Sequence, residues 1–252
     1  PDLVLDENEF YLVGEVYNYA ISHGKEFDFG DKKVNYFDNG FRSLINFEFK
    51  SDANKPYEEL FAKYDSLLHL NLNGYGTMNY VTSHDDGGPF DKERKRAKEA
   101  GTKLLLCPGT TQVYYGDESA RDLTIEGTQG DATLRSFMNW DEIANNPQTK
   151  DVLIHWQKLG KFRAAHPAIG VGKHEMISEK PYLFKRTYSQ ENYSDKVVVG
   201  LDLNEGEKEI LVAGIFDEGE ELIDRYSDRS AKVIDGKISL DSPFDIVLLE
   251  LK

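Results

Sequence analysis

Two carboxylates stand at the ends of apolar runs in this sequence. Glu15 closes "FYLVGE" (10–15), with Tyr17 and Tyr19 just beyond it, and Asp85 follows His84 at the end of "MNYVTSHDD" (78–86). If both runs are strands of one sheet, Glu15 and Asp85 share a rim although they are 70 positions apart (85 − 15). Such a pair suits glycoside hydrolysis: an acid of raised pKa protonates the leaving oxygen, while an ionised carboxylate stabilises the positive charge developing on the sugar. Taken alone, the pair fits many enzymes. Glu15 could equally cap the following loop or pair with a cation. His84-Asp85-Asp86 could form a turn with an Asx cap, or half a metal site.

Up to about residue 172, strands and helices alternate. "FYLVGE" is a short continuous apolar run, as in a strand covered on both faces. "RSLINFEF" (42–49), "MNYVTS" (78–83) and "KLLLCPG" (103–109) are the further strand candidates. Between them, "KPYEELFAKYDSLLHLN" (55–71) carries Leu60, Tyr64, Leu67 and Leu68 at helical spacing. "DKERKRAKEAG" (91–101) reads as a helix with a solvated, charge-alternating face, ending on a cap-like glycine. "QTKDVLIHWQKLGKFRAA" (148–165) presents Val152, Trp156, Leu159 and Phe162 on one face. Repeated strand–helix units of this kind imply a parallel sheet, whose functional side chains gather at the carboxyl ends of the strands. From about 173 to 252 the pattern becomes short alternating runs, among them 182–188, 196–204, 208–214, 231–240 and 244–251, some separated by turn signals such as "NEGE" and "IDGK". That predicts an antiparallel β-sandwich.

The bulk properties narrow the ligand. Over 252 residues, 30 Lys and Arg stand against 45 Asp and Glu, a net charge of −15. This opposes a nucleic-acid backbone or an anionic membrane as partner and suits a neutral ligand. Aromatic residues make up 12%, 14 of them Tyr, and such rings serve both sugar clefts and sandwich cores. Cys107 is the only cysteine, so an internal disulfide and a cysteine-based zinc site are excluded, and the lone thiol leaves the compartment open. No apolar run reaches the ~18–20 residues of a membrane span. Residue 1 is Pro and no stretch reads as a signal peptide; the chain is expected to belong to something longer.

Four stretches in order resemble the alpha-amylase family of glycoside hydrolases. "FYLVGEVYNY" is similar to the family's strand-five motif and "YVTSHDD" to its strand-seven motif; "LLLCPGTTQVYYGDE" looks like its strand-eight segment. "LRSFMNWD" (134–141) is similar to the Arg-x-Pro-Met-x-Trp stretch that follows, with Phe137 where the family usually has Pro. The resemblance covers essentially the whole chain. It implies residues 1–172 as the second half, about strands five to eight, of a (β/α)8 TIM barrel, and 173–252 as a C-terminal all-β antiparallel sandwich.

The resemblance also implies roles. Glu15 is the acid/base, Asp85 the transition-state stabiliser, and His84 and Tyr17 bind substrate, an α-glucan or oligosaccharide. Tyr114 and Tyr115 are balanced between packing and sugar contact, while Arg135, Met138 and Trp140 brace the loop under the rim. The other five histidines (23, 69, 155, 166 and 174) read as structural or surface residues. The family's nucleophile, in Arg-x-Asp after strand four, and its Asp-x-x-x-Asn-His after strand three have no match in this sequence. A full barrel alone takes about 250 residues, so the chain by itself is expected to be inactive. No cofactor and no catalytic metal are expected, though a structural calcium has room in the absent N-terminal half. The expected partners are the substrate and either the missing barrel half or a second copy across the open sheet edge. A non-catalytic relative that keeps the fold for carbohydrate binding or assembly is the other function class; intact Glu15 and Asp85 favour the enzyme.

Overall fold

The computed structural model describes residues 11–252, which form two compact units. One comprises the described part of Pro1–Leu104 with Gly109–Leu153; the other is Leu105–Pro108 with Ile154–Lys252. In chain order the first unit holds strands β1 (Val13–Gly14), β2 (Glu26–Asp28), β3 (Lys33–Asn35) and β4 (Ser43–Asn46). Helices α1 (Phe49–Asp52) and α2 (Tyr57–Ser66), strand β5 (Gly76–Asn79), helix α3 (Ala97–Leu106, its last two residues counted in the other unit), strand β6 (Thr110–Thr111) and helix α4 (Trp140–Asn145) follow. Its central sheet runs β1-β4-β5-β6, parallel throughout, with Gly14 opposite Leu44, Ile45 opposite Met78 and Met78 opposite Thr110. Helical crossovers join β4 to β5 and β5 to β6, as the alternating sequence pattern demands, whereas β1 reaches β4 through the antiparallel β2-β3 hairpin.

Helix α2 buries Leu60, Phe61 and Tyr64 and continues as a π-helical turn over Leu67–Leu72. It lies on the sheet face bearing Leu44, Asn46, Thr77 and Asn79, because Asn46 Nδ2 donates to Tyr64 Oη at 2.9 Å and to Asn79 Oδ1 at 3.0 Å. These buried amides are paired with one another, which removes the cost of placing them between sheet and helix.

Two sequence expectations fail here. "KLLLCPG" is not the fourth strand: Lys103–Leu106 is the last turn of α3, and the strand is Thr110–Thr111. Helix α3 also begins later than the charged run and passes through Gly101 instead of ending on it. Lys103 anchors this last turn. Its ammonium donates to the carbonyls of Ala53 (2.6 Å) and Lys55 (2.8 Å), fixing the buried helix across the α1–α2 connection. The run 91–96 is turn rather than solvated helix, with the Asp91 carboxylate accepting from the backbone N–H of Lys95 (3.0 Å) and Arg96 (2.7 Å).

Helix α5 (Pro147–Ala165) crosses the division between the units, and its Trp156, Leu159 and Phe162 are buried as the periodicity predicts. In the second unit, Arg163 Nη1 donates to the carbonyls of Leu105 and Cys107, both at 2.9 Å, satisfying acceptors that a helix end leaves open. Burial lowers the Arg163 pKa to about 10.

After α6 (Pro167–Val171) come β7 (Lys173–Ser178), β8 (Tyr182–Gln190), β9 (Tyr193–Leu201), β10 (Gly206–Leu211), β11 (Glu221–Asp224), β12 (Arg229–Lys232), β13 (Lys237–Ser242) and β14 (Val247–Leu251). They build a six-stranded antiparallel sheet, β12-β11-β14-β9-β8-β7, and a two-stranded sheet, β10-β13. Residues of both sheets, including Leu183, Val198, Ile210, Leu222, Ile238 and Leu249, close over one apolar core. His166 lies with Nδ1 2.8 Å from Asp195 and Nε2 against Glu250, and the buried His155 meets Tyr226 Oη at 2.7 Å. Both therefore do structural work. Among the described residues no helix is long and apolar enough to cross a membrane.

Candidate active site

Strand β1 ends at Gly14, and the glycine has a packing reason. A Cβ there would stand 2.9 Å from the Phe41 ring and 3.0 Å from Leu44, so only hydrogen fits as β1 docks on β4. Continued one residue, the strand pleat turns Glu15 to the opposite face, the one carrying Val13, Ile45 and Met78. Glu15 is exposed, at the carboxyl end of its strand.

The next layer on that face is aromatic. Tyr17 meets Phe47 edge-on with centroids 5.5 Å apart, and Phe47 meets Tyr80 likewise at 5.9 Å. The three rings follow β1, β4 and β5 in turn; Tyr80 is buried, whereas Tyr17 is 74% exposed. The Tyr80 hydroxyl donates to Asp86 Oδ2 at 2.7 Å, and Lys50 pairs with the same oxygen. Burial alone would raise the Asp86 pKa, but the bonds from Lys50, Tyr80 and the Gly88 N–H outweigh it and hold the carboxyl below its usual range. Tyr80 is pushed far above the ordinary phenol range, first by burial, then by its bond to Asp86, then by the charges of Asp86, Asp85 and Glu15.

Asp85 is exposed, its Oδ1 accepting from Ser83 Oγ at 2.9 Å, with His84 Nε2 3.6 Å from its Oδ2. The exposed His84 ring stands 6.5 Å from that of Tyr114, and its carbonyl accepts from Arg135 Nε at 3.0 Å. Tyr114 and Tyr115 pack edge-on at 4.7 Å and donate to the carbonyls of Leu134 (3.0 Å) and Ser136 (2.8 Å). Trp140, expected as a brace, is 68% exposed.

Several residues that hold this rim carried no readable signal. Arg121 is 1% exposed, lies 4.0 Å over the Tyr115 ring, and donates to the carbonyls of Tyr115 and Ser136, both at 3.0 Å. Gly116 leaves room for it: with φ of 87°, a Cβ would sit 2.4 Å from Arg121 Nε. Arg94 Nη1 lies 2.8 Å from Asp117 Oδ1, and Arg94 Nε donates to the Arg121 carbonyl at 2.7 Å. Burial pushes the Asp117 carboxyl up, against the pull of Arg94. Among the described residues no group of three or more His, Cys, Asp or Glu could hold a metal ion.

Over 204 residues the chain is 32% identical to the periplasmic alpha-amylase of Escherichia coli (strain K12), matching 79% of this chain and 27% of that protein. This similarity supports reading the chain as a fragment of an alpha-amylase family protein. A cyclomaltodextrinase of a Bacillus species is 26% identical over 199 residues, 75% of this chain and 32% of its own length. The chain therefore spans about a quarter to a third of the curated relatives it matches. No family model matches it. The solved structure of AmyP in complex with maltose superposes with a TM-score of 0.64 at 18% identity, covering 95% of this chain and 55% of that one. A likeness at that identity shows the fold: part of an amylase-type barrel followed by an antiparallel β-domain.

Proposed function

We propose that the protein carrying this chain is a retaining glycoside hydrolase that cleaves α-glucosidic bonds of starch-like glucans or malto-oligosaccharides, with Glu15 as acid/base and Asp85 as transition-state stabiliser. One observation carries this reading: two carboxylates 70 positions apart (85 − 15) both follow, exposed, the carboxyl ends of strands of one parallel sheet. Support also comes from relatives named alpha-amylase and cyclomaltodextrinase, and from the maltose bound in AmyP.

In this reading Glu15 passes its proton to the glycosidic oxygen as the bond breaks, then accepts one from the incoming water. Asp85, steadied by Ser83, faces the charge growing on the sugar ring, and His84 donates to a hydroxyl of that sugar. Tyr17 offers its exposed ring to a neighbouring sugar. The nucleophile is supplied from outside these 252 residues, which contain no Arg-x-Asp. The segment alone therefore does not turn over substrate.

The test is sugar release from soluble starch by the whole protein, by its Glu15→Gln variant and by the 252-residue segment. The whole protein is active, and Glu15→Gln loses about 10²–10⁴-fold, the usual worth of a positioned acid/base. Turnover by the purified segment, or an unaffected Glu15→Gln enzyme, overturns the assignment.

A further inference from the structure

The geometry points to Phe137, with Trp140 three positions on, as a sugar-stacking platform that extends the proposed cleft past His84 and favours longer glucan chains. The inference rests on the hydrolase reading and adds a recognition element to it. Phe137 is 98% exposed and Trp140 68% exposed. Single apolar side chains on a surface are ordinary, but the backbone that carries Phe137 is fastened on both sides.

Before it, the Ser136 carbonyl accepts from Tyr115 Oη (2.8 Å) and Arg121 Nη1 (3.0 Å), and the Ser136 hydroxyl is bonded to Arg121 and to the Asp122 carbonyl. After it, Asn139 exchanges two bonds with Ser119, Ser119 Oγ donating to Oδ1 at 2.7 Å and Nδ2 donating to the Ser119 carbonyl at 3.0 Å. Asn139 Nδ2 also reaches Glu142 at 2.8 Å. Phe137 and Met138 are the two-residue apex of a pinned loop, and among the described residues nothing covers the ring. A backbone already held loses little freedom on binding, which leaves only the side chain to order.

The root of the loop touches the proposed site, because Arg135 Nε donates to the His84 carbonyl at 3.0 Å. The occupant is a neutral sugar ring. Its C–H face can lie on an aromatic face, and the net charge of −15 selects against polyanions. The similar family stretch has proline where this chain has Phe137, so the platform distinguishes this sequence.

The experiment uses the whole protein in a Glu15→Gln background, which stops turnover, titrated with maltose and with maltoheptaose. Affinity is read by calorimetry and by tryptophan fluorescence, with Trp140→Phe identifying the signal from Trp140. Phe137→Ala weakens maltoheptaose about tenfold, several-fold more than it weakens maltose, and Phe137→Tyr restores the affinity. In the active enzyme the loss falls on KM for long chains rather than on kcat. Equal losses for both sugars, no loss, or no binding of either sugar by the parent overturns the platform. A lowered melting temperature in Phe137→Ala also overturns it, since the ring would then be packing on protein. Failure of the hydrolase reading shows separately, as absence of starch turnover by the parent enzyme while the binding arm still reads out.

Discussion

The hydroxyl of Tyr80 donates a 2.7 Å hydrogen bond to Asp86, the residue after the proposed transition-state stabiliser. Tyr80 is 1% exposed, and its ring backs the aromatic layer through Phe47. The bond thereby ties the end of β5 to the loop that carries His84 and Asp85. Tyr80→Phe keeps the ring and removes one donor to a charged acceptor, leaving Lys50 as the side-chain partner of Asp86. Stability falls by about 1–2 kcal/mol, read as a lower urea midpoint with an unchanged slope. An unchanged midpoint would mean that the bond contributes nothing.

Arg121 governs the loop after β6. Its fork reaches the carbonyls of Tyr115 and Ser136 while its flat face covers both tyrosine rings, at 4.0 Å and 5.2 Å from their centroids. Lysine can keep the charge but cannot span both acceptors or lie flat on the rings. Arg121→Lys is expected to cost about 1–3 kcal/mol, since the partly buried Tyr115 and Ser136 carbonyls each lose a donor. Urea unfolding of the whole protein measures it, and a loss below about 0.5 kcal/mol would show that the clasp is dispensable.

Acid should loosen the α3 region. The bidentate bonds from Arg96, at 2.7 and 2.9 Å, lead the forces that lower the Glu99 pKa from 4.5 to about 2, with Lys103 assisting against burial. A depressed acid contributes stability above its unfolded pKa and loses it as pH falls through the folded value. The window is therefore between about pH 4.5 and about pH 2. Glu99 is partly open to solvent, which screens the pair, so its share stays below about 1 kcal/mol. Urea midpoints from pH 6 to pH 2.5, compared with those of Glu99→Gln, isolate this share; parallel curves for the two proteins would contradict it.

Much of the architecture was legible in the residues. The apolar stripe Trp156, Leu159 and Phe162 specified the buried face of α5, because a 3.6-residue period over nineteen residues has no strand counterpart. Alternation over 208–214 and 231–240 marked β10 and β13, whose inward residues must meet a core. Glu15, His84 and Asp85 were visible as polar residues closing apolar runs, and the structure leaves all three exposed past their strands.

What the sequence could not decide was pairing. Leu104-Leu105-Leu106 reads as a buried strand, since a short apolar run carries no period that separates strand from buried helix. The choice fell to the cage of carbonyls around Lys103 and to Arg163 closing the helix end, contacts with residues some 50 to 58 positions away. Strand β6, two threonines long, has no signature of its own and exists because Met78 and Asn79 lie opposite it. The same holds for Lys50, Arg94 and Arg121, ordinary cations in the sequence. Residue type and local spacing determined which groups could do chemistry and which runs could be buried. Only the tertiary structure, by bringing distant acceptors and rings to those cations, decided which of them hold the rim in place.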